Sequence, residues 1–98
     1  MKKVIYKYNM GTPEFCVPFK VKMQKGIDIL DIDFQGDYLH VWGLVKPDNK
    51  MKEREFVIYP TGEIIKDYDK RHYHHIKTLH TKNILGIAIV IHVFEIIE

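Results

Sequence analysis

The chain has 98 residues, 46% hydrophobic, 12% aromatic and 29% charged, with 15 Lys and Arg against 13 Asp and Glu. That length predicts one compact domain, residues 1–98, which buries roughly 60–65% of its unfolded surface; the composition excludes long disordered stretches. A net charge of +2 is too small to argue for general nucleic-acid binding, which ordinarily comes with a strongly basic face.

The longest apolar run, Ile84 to Val93, is interrupted by His92 and is about half a membrane span, so no membrane partner is expected. The opening Met1-Lys2-Lys3-Val4-Ile5-Tyr6-Lys7 has no long uncharged apolar run and does not read as a signal peptide. Cys16 is the only cysteine, so no internal disulfide forms, which suits a reducing cytoplasm. With no partner motif around it, Cys16 reads as an ordinary thiol rather than a nucleophile.

In chain order, Val4, Tyr6 and Tyr8 alternate with Lys3, Ile5 and Lys7, which predicts a first strand. The breakers Met10-Gly11-Thr12-Pro13-Glu14 end it. Phe15, Val17, Phe19, Val21 and Met23 then recur at period two, predicting a half-buried strand that Pro18 places at an edge or a bulge. After the turn Gln24-Lys25-Gly26, apolar residues change parity from Ile27 and Ile29 to Leu30, Ile32 and Phe34. That switch predicts a bulge near Ile29-Leu30.

Gln35-Gly36-Asp37 reads as a tight hairpin turn. Tyr38 to Lys46 is apolar on both parities, as a central strand is, and contains Trp42. Glu53 to Tyr59 follows the polar turn Lys46–Lys50, with Phe56 and Ile58 predicted to face inward. Pro60-Thr61-Gly62-Glu63 is a turn, Ile64-Ile65 a short continuation, and Lys66 to Arg71 at most a single helical turn. Tyr73 to Lys82 and Gly86 to Ile97 complete the pattern. The fold class expected is mostly β: a single antiparallel sandwich or small barrel of about seven strands with at most one short helix.

The last strand is apolar on both parities, with Ile87, Ile89, Ile91 and Val93 on one and Ala88, Val90, Phe94 and Ile96 on the other. It therefore either runs through the centre of the fold or is covered on one side by a second copy. The latter option predicts a homodimer, with Trp42, Ile89, Ile91 and Phe94 as interface residues.

Candidate chemistry concentrates between Tyr59 and His80. Lys66, Lys70, Arg71, His72, His74, His75 and Lys77 form a cationic cluster interleaved with Tyr68 and Tyr73. Cations supply charge-assisted hydrogen bonds to phosphate and aromatic faces stack on bases. Tyr59, Thr61, Lys66, Lys70, Arg71, His72, Tyr73 and His74 are accordingly the candidate ligand-binding residues. His72 and His74 share a strand face, as metal-binding pairs do, but the surrounding cations oppose a metal, and no metal or cofactor is expected. The chain contains no serine, and Asp28, Asp31 and Asp33 read as a solvated face, so no catalytic residues are assigned.

Three stretches in order resemble a family of small bacteriophage proteins classed only as a domain of unknown function. They are Val4-Ile5-Tyr6-Lys7-Tyr8, then Leu39 to Val45 followed by Arg54 to Gly62, and Ile91-His92-Val93-Phe94-Glu95. The family's closing motif usually has Trp where Val90 or Ile91 stands, and the Lys66–His75 segment here is longer and more basic. The resemblance implies a phage-encoded protein of the host cytoplasm and carries no activity with it. The function expected is a non-enzymatic accessory protein that binds and neutralises a host factor, either a host protein or a sequestered nucleotide-derived signal. The alternative is a structural or assembly protein whose C-terminal strand drives homo-oligomerisation.

Overall fold

The computed structural model describes residues 2–97, and among them every regular element is a strand. The seven are β1 (Val4–Gly11), β2 (Phe19–Gln24), β3 (Asp28–Gln35), β4 (Tyr38–Val45), β5 (Met51–Pro60), β6 (His72–Lys82) and β7 (Ala88–Ile97). They form a three-stranded sheet of order β1-β4-β3 and a four-stranded sheet of order β2-β5-β7-β6. The pairings β1–β4, β3–β4, β5–β7 and β6–β7 are antiparallel. No helix of the described residues is long and apolar enough to cross a membrane.

The chain packs as two units. One comprises residues 1–13 and 20–54, the other residues 14–19 and 55–98, with β5 passing from the first to the second at Arg54.

In the first unit, β4 is central, and its residues Leu39, Val41 and Val45 are buried together with Ile32 of β3 and Met23 of β2. Gly43 continues this face, and the Ile27 side chain lies over it where a Cβ would otherwise stand. The β3–β4 hairpin turns in two residues with Gly36 at φ +64°, a left-handed conformation that glycine takes without steric cost. The predicted bulge is present: the register with β4 shifts between Ile29 and Asp31. It puts Asp28, Asp31 and Asp33 on one face, across from Leu44, Trp42 and His40.

Trp42 is half-buried on that second face, between Lys7 of β1 and Asp31 of β3, and its ring lies 6.0 Å from His40. His40 is buried and satisfied by the Tyr38 carbonyl at 3.1 Å. The Tyr8 hydroxyl donates to Gln24 Oε1, which satisfies the buried Gln24.

In the second unit, β7 is flanked by β5 and β6. Phe56 and Ile58 face the core as predicted, with Ile91, Val93 and Leu79. β7 is hydrogen-bonded along both edges and turns one face into the core, where Ile91 and Val93 are buried, while Val90, His92 and Phe94 on its other face are half-buried. Ile91 is fully buried within the chain, so it is a core residue and not the interface residue expected. Ile89 and Phe94 remain half-buried.

Two strand expectations fail. The run from Phe15 to Pro18 is not part of a strand; β2 begins at Phe19, and Phe15 and Val17 are 43% and 48% exposed. Pro18 lacks an amide hydrogen, and Cys16 sits at φ +66°, so period-two alternation here reflects no pleat. Only the Cys16 amide reaches the sheet, donating to Ile58 O at 2.7 Å. Ile64 and Ile65 likewise form no strand, and Ile64 is 77% exposed. The turn at Lys66 to Arg71 is a single one, closed by Arg71 N–H to Asp67 O at 3.2 Å.

Candidate ligand-binding face

Which side chains meet on β6 is decided by a bulge. His75 pairs with Phe94, Lys77 with Val93 and Thr78 with His92, so Ile76 is an extra residue that resets the alternation. Tyr73 and His75 before the bulge therefore share a face with Thr78, His80 and Lys82 after it. On the same face stand Val90, His92, Phe94 and Ile96 of β7, and Val57 and Tyr59 of β5. The core face takes Lys77 and Leu79.

One end of this second face is aromatic. Tyr59 meets Phe94 edge-on at 6.3 Å, and Tyr73 and His75 approach Phe94 edge-on at 6.1 and 5.5 Å. The turn after β5 folds over it, so that Tyr68 stacks on Tyr73 at 5.5 Å with only 4° between the ring planes. The Tyr73 hydroxyl donates to Asp67 Oδ1 at 2.6 Å. Burial first, and then that carboxylate, push the Tyr73 hydroxyl far above the ordinary tyrosine value. Tyr68 keeps more than half of its surface exposed.

The middle of the face is a row of hydroxyls and imidazoles. Thr61 Oγ1 lies 2.8 Å from His92 Nε2, His92 Nδ1 lies 3.0 Å from Thr78 Oγ1, and Thr78 Oγ1 lies 2.8 Å from His75 Nε2. The Thr61 hydroxyl donates to Val90 O at 3.3 Å. It therefore accepts from His92 Nε2–H, Thr78 donates to His92 Nδ1, and His75 Nε2–H donates to Thr78, which leaves His75 Nδ1 as an acceptor. Both ring nitrogens of His92 are thus held by hydroxyls rather than by a carboxylate.

The structure brings together Tyr59, Thr61 and Tyr73 from the predicted set. His72 and His74 fall on the opposite face, because their parity places them across from Ile97 and the buried Glu95. Lys70, Arg71 and His72 instead line a hollow of about 230 Å³ beside Ile97. Arg71 Nη2 also pairs with Glu55 Oε1 at 2.9 Å, which offsets part of its charge. Lys66 and Lys70 stand in the turn that carries Tyr68.

Sequence reasoning missed Thr78, His92 and Phe94 as members of one surface with Tyr73. The face of Thr78 depends on the bulge, and a single extra residue in a mixed polar stretch leaves no trace in the pattern; His92 and Phe94 join Tyr73 only through the pairing of β7 with β6. Among the described residues no group of three His, Cys, Asp or Glu is arranged to hold a metal ion. Local desolvation, and then Glu63, raise the Cys16 thiol, which makes it a poor nucleophile near neutrality.

Fold and face define an all-β domain of two open sheets with an aromatic and imidazole-bearing surface. The chain belongs to the family described as Domain of unknown function (DUF7352), which matches residues 1–98. No curated protein and no solved structure matches it.

Proposed function

We propose that this protein is a non-enzymatic accessory protein of a bacteriophage that acts in the host cytoplasm and neutralises a host factor. On this reading the factor is a nucleotide-derived signal, sequestered on the second face of β5, β7 and β6. The observation that carries the reading is the parallel Tyr68–Tyr73 stack, whose outer member Tyr68 is more than half exposed. A purine or pyrimidine extends such a stack, and each stacked base is worth about 1–3 kcal/mol. Lys66 and Lys70 flank Tyr68 two residues away on either side, so the turn that carries the stacking ring also carries cations able to meet phosphate. A sequestering role is also supported by the hydroxyl partners of His92, since an imidazole acting as a general base is ordinarily oriented by a carboxylate.

The test is thermal denaturation and calorimetry with nucleoside phosphates and cyclic mono- and dinucleotides. A true ligand at a hundred times its Kd adds about 2.7 kcal/mol, which raises the Tm of a domain this size by roughly 10–20 °C. Tyr68→Ala should weaken binding by roughly 5- to 150-fold, the equivalent of one stacked base. Lack of any shift across the panel, together with capture of a host protein by the wild-type chain, would replace this reading with the host-protein one.

A further inference from the structure

The β6–β7 hairpin runs past the end of β5. Pro60 with Ile91 is the last rung between β5 and β7, yet β7 continues back to Ala88, paired only with Lys82, Thr81 and His80 of β6. Thr61 N–H still donates to Val90 O at 3.0 Å. Beyond that bond no described strand lies on the β5 side of β7, and a hollow of about 380 Å³ opens there. Its walls include Thr61, Thr81, Ala88, Ile89 and Val90.

At the far end of the same overhang, Ile84 is 101% exposed, Leu85 79% and Ile87 57%. The first two are the most exposed large apolar side chains among the described residues. The turn that displays them is fixed. Asn83 Oδ1 accepts from the Leu85 and Ile87 amides at 2.9 and 3.0 Å. Asn83 N–H donates to Ile87 O at 2.9 Å, and Gly86 N–H donates to Asn83 O at 2.9 Å. An apolar projection held in one conformation loses little entropy on docking.

We propose that this overhang is the interface of a homodimer, in which two hairpins lie antiparallel about a two-fold axis and each Ile84-Leu85 tip fills the other's hollow. Tip and hollow sit a few residues apart on one hairpin, so a single rotation satisfies both contacts, as an isologous interface requires. The unpaired β5-side edge of β7 at Ala88 faces its symmetry mate in the same arrangement. Asn83 to Ile89, which forms the tip and enters β7, carries no charged side chain.

An aliphatic side chain taken fully out of water buries roughly 60–120 Å². Three such residues and a matching area of hollow give roughly 400–700 Å² per chain, which spans the lower limit for a specific interface, about 600 Å². The tip cannot dimerise by its own area; it needs the hollow. The hairpin tip is separate from the proposed stacking position, because Lys82–Ala88 lies at the opposite end of β6 and β7 from Tyr73–Ile96.

Light scattering on a sizing column, from low micromolar to several hundred micromolar chain, reads the result directly. The mass should rise from 11.7 kDa toward twice that value. Leu85→Asp should weaken association at least about a hundredfold, since symmetry removes the contact twice. Its circular dichroism should match the wild type, as should its Tm at concentrations where the wild type is monomeric, because the Leu85 side chain stands mostly in solvent in the monomer. Thr81→Arg, in the hollow wall, should weaken the dimer in the same way. A wild-type chain that stays at 11.7 kDa throughout, or a Leu85→Asp variant that still dimerises, overturns the proposal.

Discussion

Replacing Gly43 with Ala should destabilise the protein, although Gly to Ala in a strand ordinarily does the opposite. Gly43 has no positive φ, so the backbone accepts alanine, and restricting the unfolded chain alone would contribute about 0.4–1 kcal/mol of stability. The obstacle is Ile27. A Cβ built on Gly43 falls well inside van der Waals contact of Ile27 Cγ1 and Cδ1, and 3.3 Å from the Asp28 carbonyl oxygen. Ile27 is itself only 6% exposed and branched at Cβ, so few rotamers let it clear the methyl without entering neighbouring atoms.

Overpacking of this kind costs about 1–3 kcal/mol. After the entropic gain the net loss is roughly 1–2 kcal/mol, a Tm decrease of about 4–16 °C in a domain of this size. A double-mutant cycle isolates the cause. Ile27→Ala alone removes buried methyl groups and costs about 2–5 kcal/mol. In the double variant the methyl added at Gly43 occupies space that the Ile27 side chain has vacated, so the two losses should fall short of additivity by at least about 1 kcal/mol. Urea or thermal unfolding of the four proteins measures this. A Tm that rises in Gly43→Ala, or strict additivity in the cycle, would refute the close approach as the reason for glycine.

Two further outcomes are expected. The Tyr73 hydroxyl is held protonated in the fold and ionises near the ordinary value when unfolded, so its contribution is complete below about pH 10 and is lost as pH rises beyond it. Stability should therefore fall on the alkaline side, and Tyr73→Phe should flatten that part of the curve; an unchanged alkaline slope counts against the Asp67–Tyr73 bond. Asp31 and Asp33 turn their carboxylates onto the amides of Ile32 and Phe34 at 2.9 and 2.8 Å. In the two-residue hairpin those amides point to the open side of β3, so Asp33→Ala should bare the edge and speed aggregation seen by light scattering; unaltered aggregation kinetics would remove that role.

The legible parts of this protein are those governed by neighbours in sequence. Alternation and turn chemistry were enough for the strand class, the two-residue turn at Gly36, the bulge near Leu30 and the inward Phe56 and Ile58. The bulge near Leu30 could be read because apolar residues change parity across it. The same reading was misled at Phe15 and Val17, where alternation is present without a ladder to give it meaning.

The candidate face was legible only as a list of residue types. His72, Tyr73, His74 and His75 are adjacent in sequence, yet their division between two faces follows from strand register, and the later residues of β6 follow from the extra residue at Ile76. Ile76 lies among charged and polar residues, so its bulge shifts no hydrophobic pattern. Thr61, Thr78 and His92 come from three strands or their ends and meet only when β7 lies between β5 and β6. The sequence by itself determined that the C-terminal segment is a strand with apolar residues on both parities. Tertiary structure decided what each parity meets: Ile91 and Val93 lie in the core, Val90, His92 and Phe94 stand on the half-buried second face, and the β5-side edge is left unpaired beyond Pro60 because β5 ends there and β7 does not.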